Sequence, residues 1–148
     1  MSSGITRKYA PDDVTVVVGT QAVFGFQPGT FVEIEPDVDT ATMDVGSDGE
    51  ATLVISANRA GKMKLTLQQS SPLNDFFNTL YQALIQKNTG VAVVPFRMAD
   101  KNGSSLAQAK QCVVMKPTKL TFADKAEARE WTFITGYLDT QPGGQSAL

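Results

Sequence analysis

The 148-residue sequence contains no histidine and a single cysteine, Cys112. Histidine is the commonest general base and the commonest transition-metal ligand, so its absence excludes a Ser-His-Asp triad and the usual structural zinc sites. One cysteine cannot form an intrachain disulfide. Cys112 lies in the apolar stretch QCVVM, which favours a buried small hydrophobic side chain over a nucleophile. These absences argue against many enzyme classes.

Long apolar runs and recognisable cofactor motifs are also missing. No apolar run approaches the roughly 20 residues that cross a bilayer, and the N-terminus lacks the apolar centre of a signal peptide. The sequence has no Walker-type phosphate loop, no dinucleotide fingerprint and no G-x-S-x-G elbow. A net charge of -2 argues against a strongly basic nucleic-acid binder. We expect a protein made in the cytoplasm that is not an enzyme, binds no metal or cofactor and enters no membrane.

The clearest predicted element is an amphipathic helix over residues 72–88. Its apolar side chains recur at i, i+3, i+4 and i+7, so they share one face that we expect to pack on the core. Ser71 is a favourable N-cap, Pro72 suits the first turn, and Gly90 can end the helix. The predicted core-facing residues are Leu73, Phe76, Phe77, Leu80, Tyr81, Leu84 and Ile85.

Most of the remaining chain is predicted to form short strands. Pro95 interrupts the stretch 91–98, and because proline donates no ladder hydrogen bond this strand is either an edge or bulged. Many strands with one long helix predict a mainly antiparallel α+β fold. We expect this domain at residues 14–138, between an extended N-terminal arm at 1–13 and a flexible C-terminal tail at 139–148.

Residues 36–50, PDVDTATMDVGSDGE, contain five acidic residues and a few isolated apolar ones. A solvated loop between two strands is the simplest interpretation. A calcium loop is the second, but the ligand spacing and the flanking helices of an EF-hand are missing. A projecting loop that contacts a neighbouring subunit is the third, and it accounts for the interspersed valine and methionine.

Residues 51–57 and 62–68 are predicted to pair as a β-hairpin through a turn at residues 58–61. In each strand apolar and polar side chains alternate, so each has one face for the helix and one for water. The predicted helix-facing residues are Leu53, Ile55, Ala57, Met63, Leu65 and Leu67.

Three stretches carry a resemblance to a known family. They are PDDVTVVVG near the N-terminus, SANRAGKMKLTLQQSSPLNDFF leading into the helix, and WTFITGYLD in the last predicted strand. Together with the single long helix they resemble the tail tube proteins of contractile-tailed bacteriophages. The resemblance covers nearly the full chain and includes no catalytic motif.

The resemblance implies a structural subunit that is a small β-barrel or sandwich flanked by a helix. The subunits assemble into hexameric rings, which stack into a hollow tube inside a contractile sheath. Viral DNA passes through the tube on ejection without specific binding. The implied partners are further copies of this chain together with the tail sheath, baseplate and tape-measure proteins. The implied location is the virion tail, assembled in the host cytoplasm.

This architecture gives two sets of residues an expected role. The polar hairpin face would line the lumen, with Thr52, Ser56, Lys64, Thr66 and Gln68. The acidic segment would contact the next ring, with Val38, Asp39, Met43, Asp44 and Val45. Lys62 and Lys64 fit a DNA conduit poorly, because basic contacts raise affinity for DNA. Either they pair with acidic groups of a neighbouring subunit, or this face does not line the lumen.

Two alternatives remain at the level of function. Related tubes occur in the type VI secretion system and in contractile bacteriocins, and the sequence does not separate these machines. A monomeric β-sandwich binding module is the alternative from another class. Such modules expose aromatic side chains to stack on sugars, whereas most aromatic residues here fit the helix face or strand interiors.

Overall fold

The structure is a computed structural model, and it describes residues 4–147. A 3₁₀ turn at Pro11–Asp13 precedes the first strand. The helices are α1 (Leu73–Ile85) and α2 (Thr89–Ala92). The strands are β1 (Val14–Val18), β2 (Gln21–Ala22), β3 (Val32–Pro36), β4 (Ala41–Val45), β5 (Ala51–Ile55), β6 (Gly61–Leu67), β7 (Val94–Asp100), β8 (Leu106–Lys116), β9 (Arg129–Thr135) and β10 (Asp139–Gln141).

Eight of the strands form one sheet in the order β2-β1-β7-β8-β9-β6-β3, with β10 pairing beside β8. All of these strand pairs are antiparallel, which confirms the predicted mainly antiparallel α+β class. Residues 4–147 form no closed barrel, because β2 and β3 each pair on one side only. The barrel form of our prediction is therefore wrong. Side chains of β1, β3 and β7 instead meet across an open groove.

The register of β6 determines which side of the sheet is buried. Met63, Leu65 and Leu67 are fully buried, whereas Lys62 is exposed and Lys64 half-buried. On the buried side α1 lies against the sheet, and the Phe77 ring meets the rings of Trp131 and Phe133 edge-on at centroid distances of 5.6 and 5.1 Å. The core therefore lies between α1 and one face of the sheet.

At the start of α1 Ser71 makes the predicted capping contact, although Pro72 occupies the N-cap position, and the end of the helix differs from the prediction. The Ser71 hydroxyl accepts a hydrogen bond from the Leu73 N–H at 3.3 Å and donates one to the Phe24 carbonyl at 3.2 Å. The helix ends earlier than the predicted residue 88. Lys87 takes a φ of 60°, and the Asn88 N–H bonds to the Ala83 carbonyl, which is the Schellman pattern. Gly90 is not the terminator, since it lies within α2.

The predicted apolar face of α1 is buried in its first three turns and opens at its last. Leu73, Phe77 and Leu80 are buried together with Ala83, which the pattern did not include. Phe76, Tyr81 and Leu84 are half-buried. Ile85 is 55% exposed and is the last residue of the helix. Assigning Ile85 to the core face was therefore wrong.

The predicted pairing of residues 51–57 with 62–68 is also wrong. β5 pairs with β4 in a separate two-stranded sheet, and β6 lies between β3 and β9 in the main sheet. The short turn at residues 46–50 brings β4 and β5 together locally. β6 pairs with β9, whose large apolar residues lie opposite those of β6. Leu53 and Ile55 consequently face solvent instead of α1.

Strand β7 resolves the ambiguity around Pro95. It lies between β1 and β8, so it is no edge strand, and its register against β8 shifts between Val94 and Phe96. This shift places the bulge at the proline. None of the described helices is long and apolar enough to cross a membrane.

Both terminal segments dock on the turn between β7 and β8. Residues 139–141 form β10, where we predicted a flexible tail, and the Ser146 N–H then bonds to the Asn102 carbonyl. The Asn102 side chain donates to the Lys8 carbonyl at 2.8 Å. Positions 1–3 of the predicted arm and position 148 of the predicted tail lie outside the described residues.

The contact between α1 and β9 generates a stability prediction. Phe77→Ala should lower the free energy of unfolding by about 3–5 kcal/mol, because it removes a fully buried ring from between two aromatic neighbours. Ile85→Ala, at an exposed position of the same helix, should change it by less than about 0.5 kcal/mol. Urea unfolding followed by tryptophan fluorescence measures both. Equal losses for the two variants would contradict the assigned core face.

Candidate assembly surfaces

Strands β4 and β5 form a ribbon, which we call the hairpin (residues 41–55), with one wholly apolar face. In an antiparallel pair, directly opposed residues point to the same side. The opposed pairs are Ala41 with Ile55, Met43 with Leu53 and Val45 with Ala51, so these six side chains share a face. Thr42, Asp44, Thr52 and Val54 occupy the other face.

The apolar face of the hairpin is open to solvent. Every residue of β4 and β5 is exposed, and Met43, Val45, Leu53 and Ile55 each expose more than half of their surface. A two-stranded hairpin without further packing is marginally stable in water. Contiguous exposed apolar patches on folded proteins are typical of interaction sites. The geometry therefore indicates a surface that another protein chain covers.

The turn of the hairpin is held by local hydrogen bonds. The Gly46 N–H donates to the Glu50 carbonyl at 2.8 Å, and the Asp48 carboxylate accepts from the Glu50 N–H at 3.1 Å. Gly49 adopts a φ of +87°, which suits glycine. Within residues 4–147, no group of three or more Asp, Glu or Cys residues is arranged to hold a metal ion. The acidic segment thus contributes β4 and the turn of the hairpin.

The hairpin separates the residues that we predicted for the contact with the next ring. Met43 and Val45 lie on its apolar face, whereas Asp44 lies on the opposite face. Val38 and Asp39 precede β4 and are exposed. The sequence prediction missed Leu53 and Ile55 on the same face. The signal for them was available, because Asp48-Gly49 between two alternating stretches is typical of a hairpin.

The second surface is the solvent-facing side of β3, β6 and β9, which carries paired opposite charges. Glu33 lies directly across from Lys64, and Glu35 across from Lys62. Lys64 also forms an ion pair with Glu130, with 3.7 Å between Nζ and Oε1. With Lys116 these side chains line an open groove of about 530 Å³. We call this surface the charged face.

The charged face is electrically balanced. Three glutamates (Glu33, Glu35 and Glu130) meet three lysines, namely Lys62, Lys64 and Lys116. Exposed ion pairs add only about 0–1 kcal/mol each to stability. Their main consequence here is that the lysines lie beside carboxylates of their own chain. No neighbouring subunit is required to neutralise them.

The residues predicted for the lumen do not share one surface. Lys64 and Thr66 lie on the charged face, where Thr66 is opposite Glu130. Gln68 follows β6, and its N–H bonds to the Gly25 carbonyl near the start of α1. Thr52 belongs to the polar face of the hairpin, and Ser56 follows β5. These residues are divided between surfaces because β5 pairs with β4, whereas we predicted that it pairs with β6.

Cys112 offers no reactive thiol. It is buried in β8, and burial raises the pKa of its thiol from 9.0 to about 12. The group is therefore protonated at neutral pH, which agrees with its interpretation as a small core residue.

Comparison with known proteins gives three results. The family described as "Bacteriophage PhiTE tail tube protein" matches residues 14–143. "Structural protein ORF10" of Pseudomonas phage KPP10 is 27% identical over 152 residues, which cover 99% of this chain and 88% of that protein. Among solved structures, the anti-feeding prophage cap that terminates its tube has a TM-score of 0.59 at 10% identity, covering 95% of each chain.

A second solved structure has a similar fold. It is the sheath/tube terminator of an extracellular contractile injection system, PVC, in its extended state. The TM-score is 0.57 at 14% identity, with 94% of this chain and 100% of that chain covered. At these sequence identities, both solved structures indicate a similar fold and nothing further.

Proposed function

Because the chain belongs to the bacteriophage PhiTE tail tube protein family, we propose that it is the structural subunit of a phage tail tube. In this proposal the subunits form hexameric rings, the rings stack into a hollow tube in the virion tail, and DNA passes through the tube on ejection. The tail sheath would surround the tube, and baseplate and tape-measure proteins would contact it. The exposed apolar face of the hairpin is the observation that carries the proposal.

The hairpin supports assembly because it is incomplete in a single chain. Fully burying a large apolar side chain contributes about 1.5–3 kcal/mol. Four such side chains are available on the hairpin, namely Met43, Val45, Leu53 and Ile55. A neighbouring subunit that covers them would stabilise both the hairpin and the contact. In a stacked tube this contact would join successive rings, which is an open-ended interface.

The edges of the main sheet support closure into a ring. β2 and β3 each have one unpaired side within the described part of the chain. Exposed strand edges normally pair or are protected. If the edge of one subunit meets that of the next, six open sheets can form a continuous inner wall. Such a head-to-tail contact closes when the rotation between subunits permits it.

The charged face is our candidate for the lumen wall. Affinity for DNA increases with each uncompensated lysine or arginine that contacts a phosphate. On the charged face Lys62 and Lys64 lie opposite glutamates of the same chain, and three lysines and three glutamates line the groove, so the wall is neutral without a partner. A neutral polar wall would let DNA pass without holding it. Lys64 and Thr66 would then face the channel, whereas Thr52 and Ser56 would not.

Electron microscopy of the purified protein tests the tube and the role of the hairpin. We expect the wild-type chain to form rings or hollow tubes. Met43→Ser with Leu53→Ser should abolish long tubes and leave the thermal unfolding of the main domain unchanged, because both side chains lie outside its core. Val54→Ser, on the opposite face of β5, is the matched control and should still form tubes.

Two outcomes would contradict this proposal. Tubes from the Met43→Ser and Leu53→Ser variant that match those of the wild type would refute the hairpin contact. A monomer of 15.9 kDa at all protein and salt concentrations would refute the tube itself.

DNA binding tests the charged face. Glu33→Gln, Glu35→Gln and Glu130→Gln together leave three lysines uncompensated, so affinity for duplex DNA should appear and fall steeply with salt. The wild-type protein should bind weakly or not at all in the same anisotropy titration at 0.15 M salt. Asp39→Asn, Asp44→Asn and Glu50→Gln change the net charge equally but lie in or beside the hairpin and outside this groove, and they should not create binding. Tight binding by the wild type would overturn the neutral-wall assignment.

A further inference from the structure

The loop between β8 and β9 forms a second exposed apolar surface, which we call the strap (residues 117–128). Leu120 is 72% exposed and Phe122 76% exposed. The strap is held near its ends, where the Thr118 hydroxyl accepts from the Glu130 N–H at 3.0 Å and the Gln69 side chain accepts from the Glu127 N–H at 2.9 Å. The strap is about twice as long as a typical connection between elements of a compact domain.

A buried arginine lies directly beneath the strap. The guanidinium of Arg129 is 5.2 Å from the centroid of the Phe122 ring. Arg129 is only 7% exposed, and its Nη1 has no hydrogen-bond partner among residues 4–147. Leaving a charged donor buried and unpaired is unfavourable. Phe122 lies over the guanidinium and is itself 76% exposed, so a chain that packs on Phe122 would bring its carboxylates close to Arg129.

The charges of the strap and the hairpin are complementary. Residues 116–129 contain four basic and two acidic side chains, with Lys116, Lys119, Lys125 and Arg129 as the basic ones. Residues 37–50, which lead into and include the hairpin turn, contain five acidic side chains and no basic one. Both segments also expose large apolar side chains. Apolar surface flanked by opposite charge on two parts of one chain is what a contact between copies requires.

We propose that the strap is the acceptor surface for the hairpin of a second copy of this chain. The apolar face of the hairpin would cover Leu120 and Phe122, and a carboxylate of its acidic segment would pair with Arg129. The inference rests on the proposed tube, because it names the partner surface of the same hairpin. It also explains why one chain carries both surfaces: each subunit would donate a hairpin in one direction and accept one from the other.

Cysteine cross-linking between two variants tests the contact. One full-length chain carries Val45→Cys and a second carries Leu120→Cys; the native Cys112 stays silent because it is buried. When the two variants are mixed and oxidised, a disulfide-linked dimer should form that neither variant forms alone. Mixing also excludes a bond within one chain. Val45→Cys with Ile85→Cys, an exposed position at the end of α1, is the matched control and should give no dimer.

A second variant measures the energetic role of the strap. Phe122→Ser should raise the protein concentration needed for tube formation about tenfold or more, because burying a large apolar side chain is worth at least that factor. Ile85→Ser should leave this concentration unchanged. Light scattering against protein concentration gives the threshold for each variant.

The outcomes separate this inference from the proposed function. Wild-type tubes without the Val45–Leu120 cross-link would overturn the acceptor surface and leave the tube role standing. Equal thresholds for Phe122→Ser and Ile85→Ser would also overturn it. A wild-type protein that does not assemble, together with cysteine variants that do not cross-link, would overturn both.

Discussion

The alternation of side chains along β6 is the constraint on which the rest of the molecule depends. Burial of Met63, Leu65 and Leu67 beneath α1 sends Lys62, Lys64 and Thr66 to the other side, because successive residues of a strand point to opposite faces. A slip of one residue would bury lysines and expose the core. The same register sets Lys62 and Lys64 opposite Glu35 and Glu33. Core packing thus determines the charge pattern of the outer face.

One part of the chain buries its large apolar side chains within the subunit, and another part leaves them exposed. The main sheet and α1 enclose one continuous apolar core. The hairpin and the strap expose large apolar side chains, and the guanidinium beneath the strap is unpaired among the described residues. Folding alone gains nothing from these features. Assembly would bury these apolar side chains and pair the guanidinium, which agrees with membership of a tail tube family. It also agrees with a sequence that contains no histidine.

Much of the fold could be predicted because local patterns report which face of an element is buried. The spacing of Leu73, Phe77 and Leu80 predicted α1, and the alternation in 62–68 predicted β6. The partner of each strand could not be predicted in the same way. Residues 51–55 alternate equally well for pairing with 41–45 or with 62–68, and periodicity contains no information on that choice. The predicted set of lumen-facing residues was divided for the same reason, because Thr52 and Ser56 belong to β5 and the residue after it and not to the charged face. Nor does any pattern predict the position of Phe122 over Arg129, because that contact depends on the path of a loop.

Hydrogen exchange tests most directly whether the hairpin is completed by a neighbouring subunit. Backbone amides of residues 41–55 should exchange rapidly in a dilute monomeric sample, because a solvent-exposed two-stranded hairpin opens easily. In assembled protein the same amides should become strongly protected, while those of β6 and β9 are slow in both states. Mass spectrometry of peptides covering the hairpin measures this difference. Equal exchange of residues 41–55 in monomer and assembly would contradict the account.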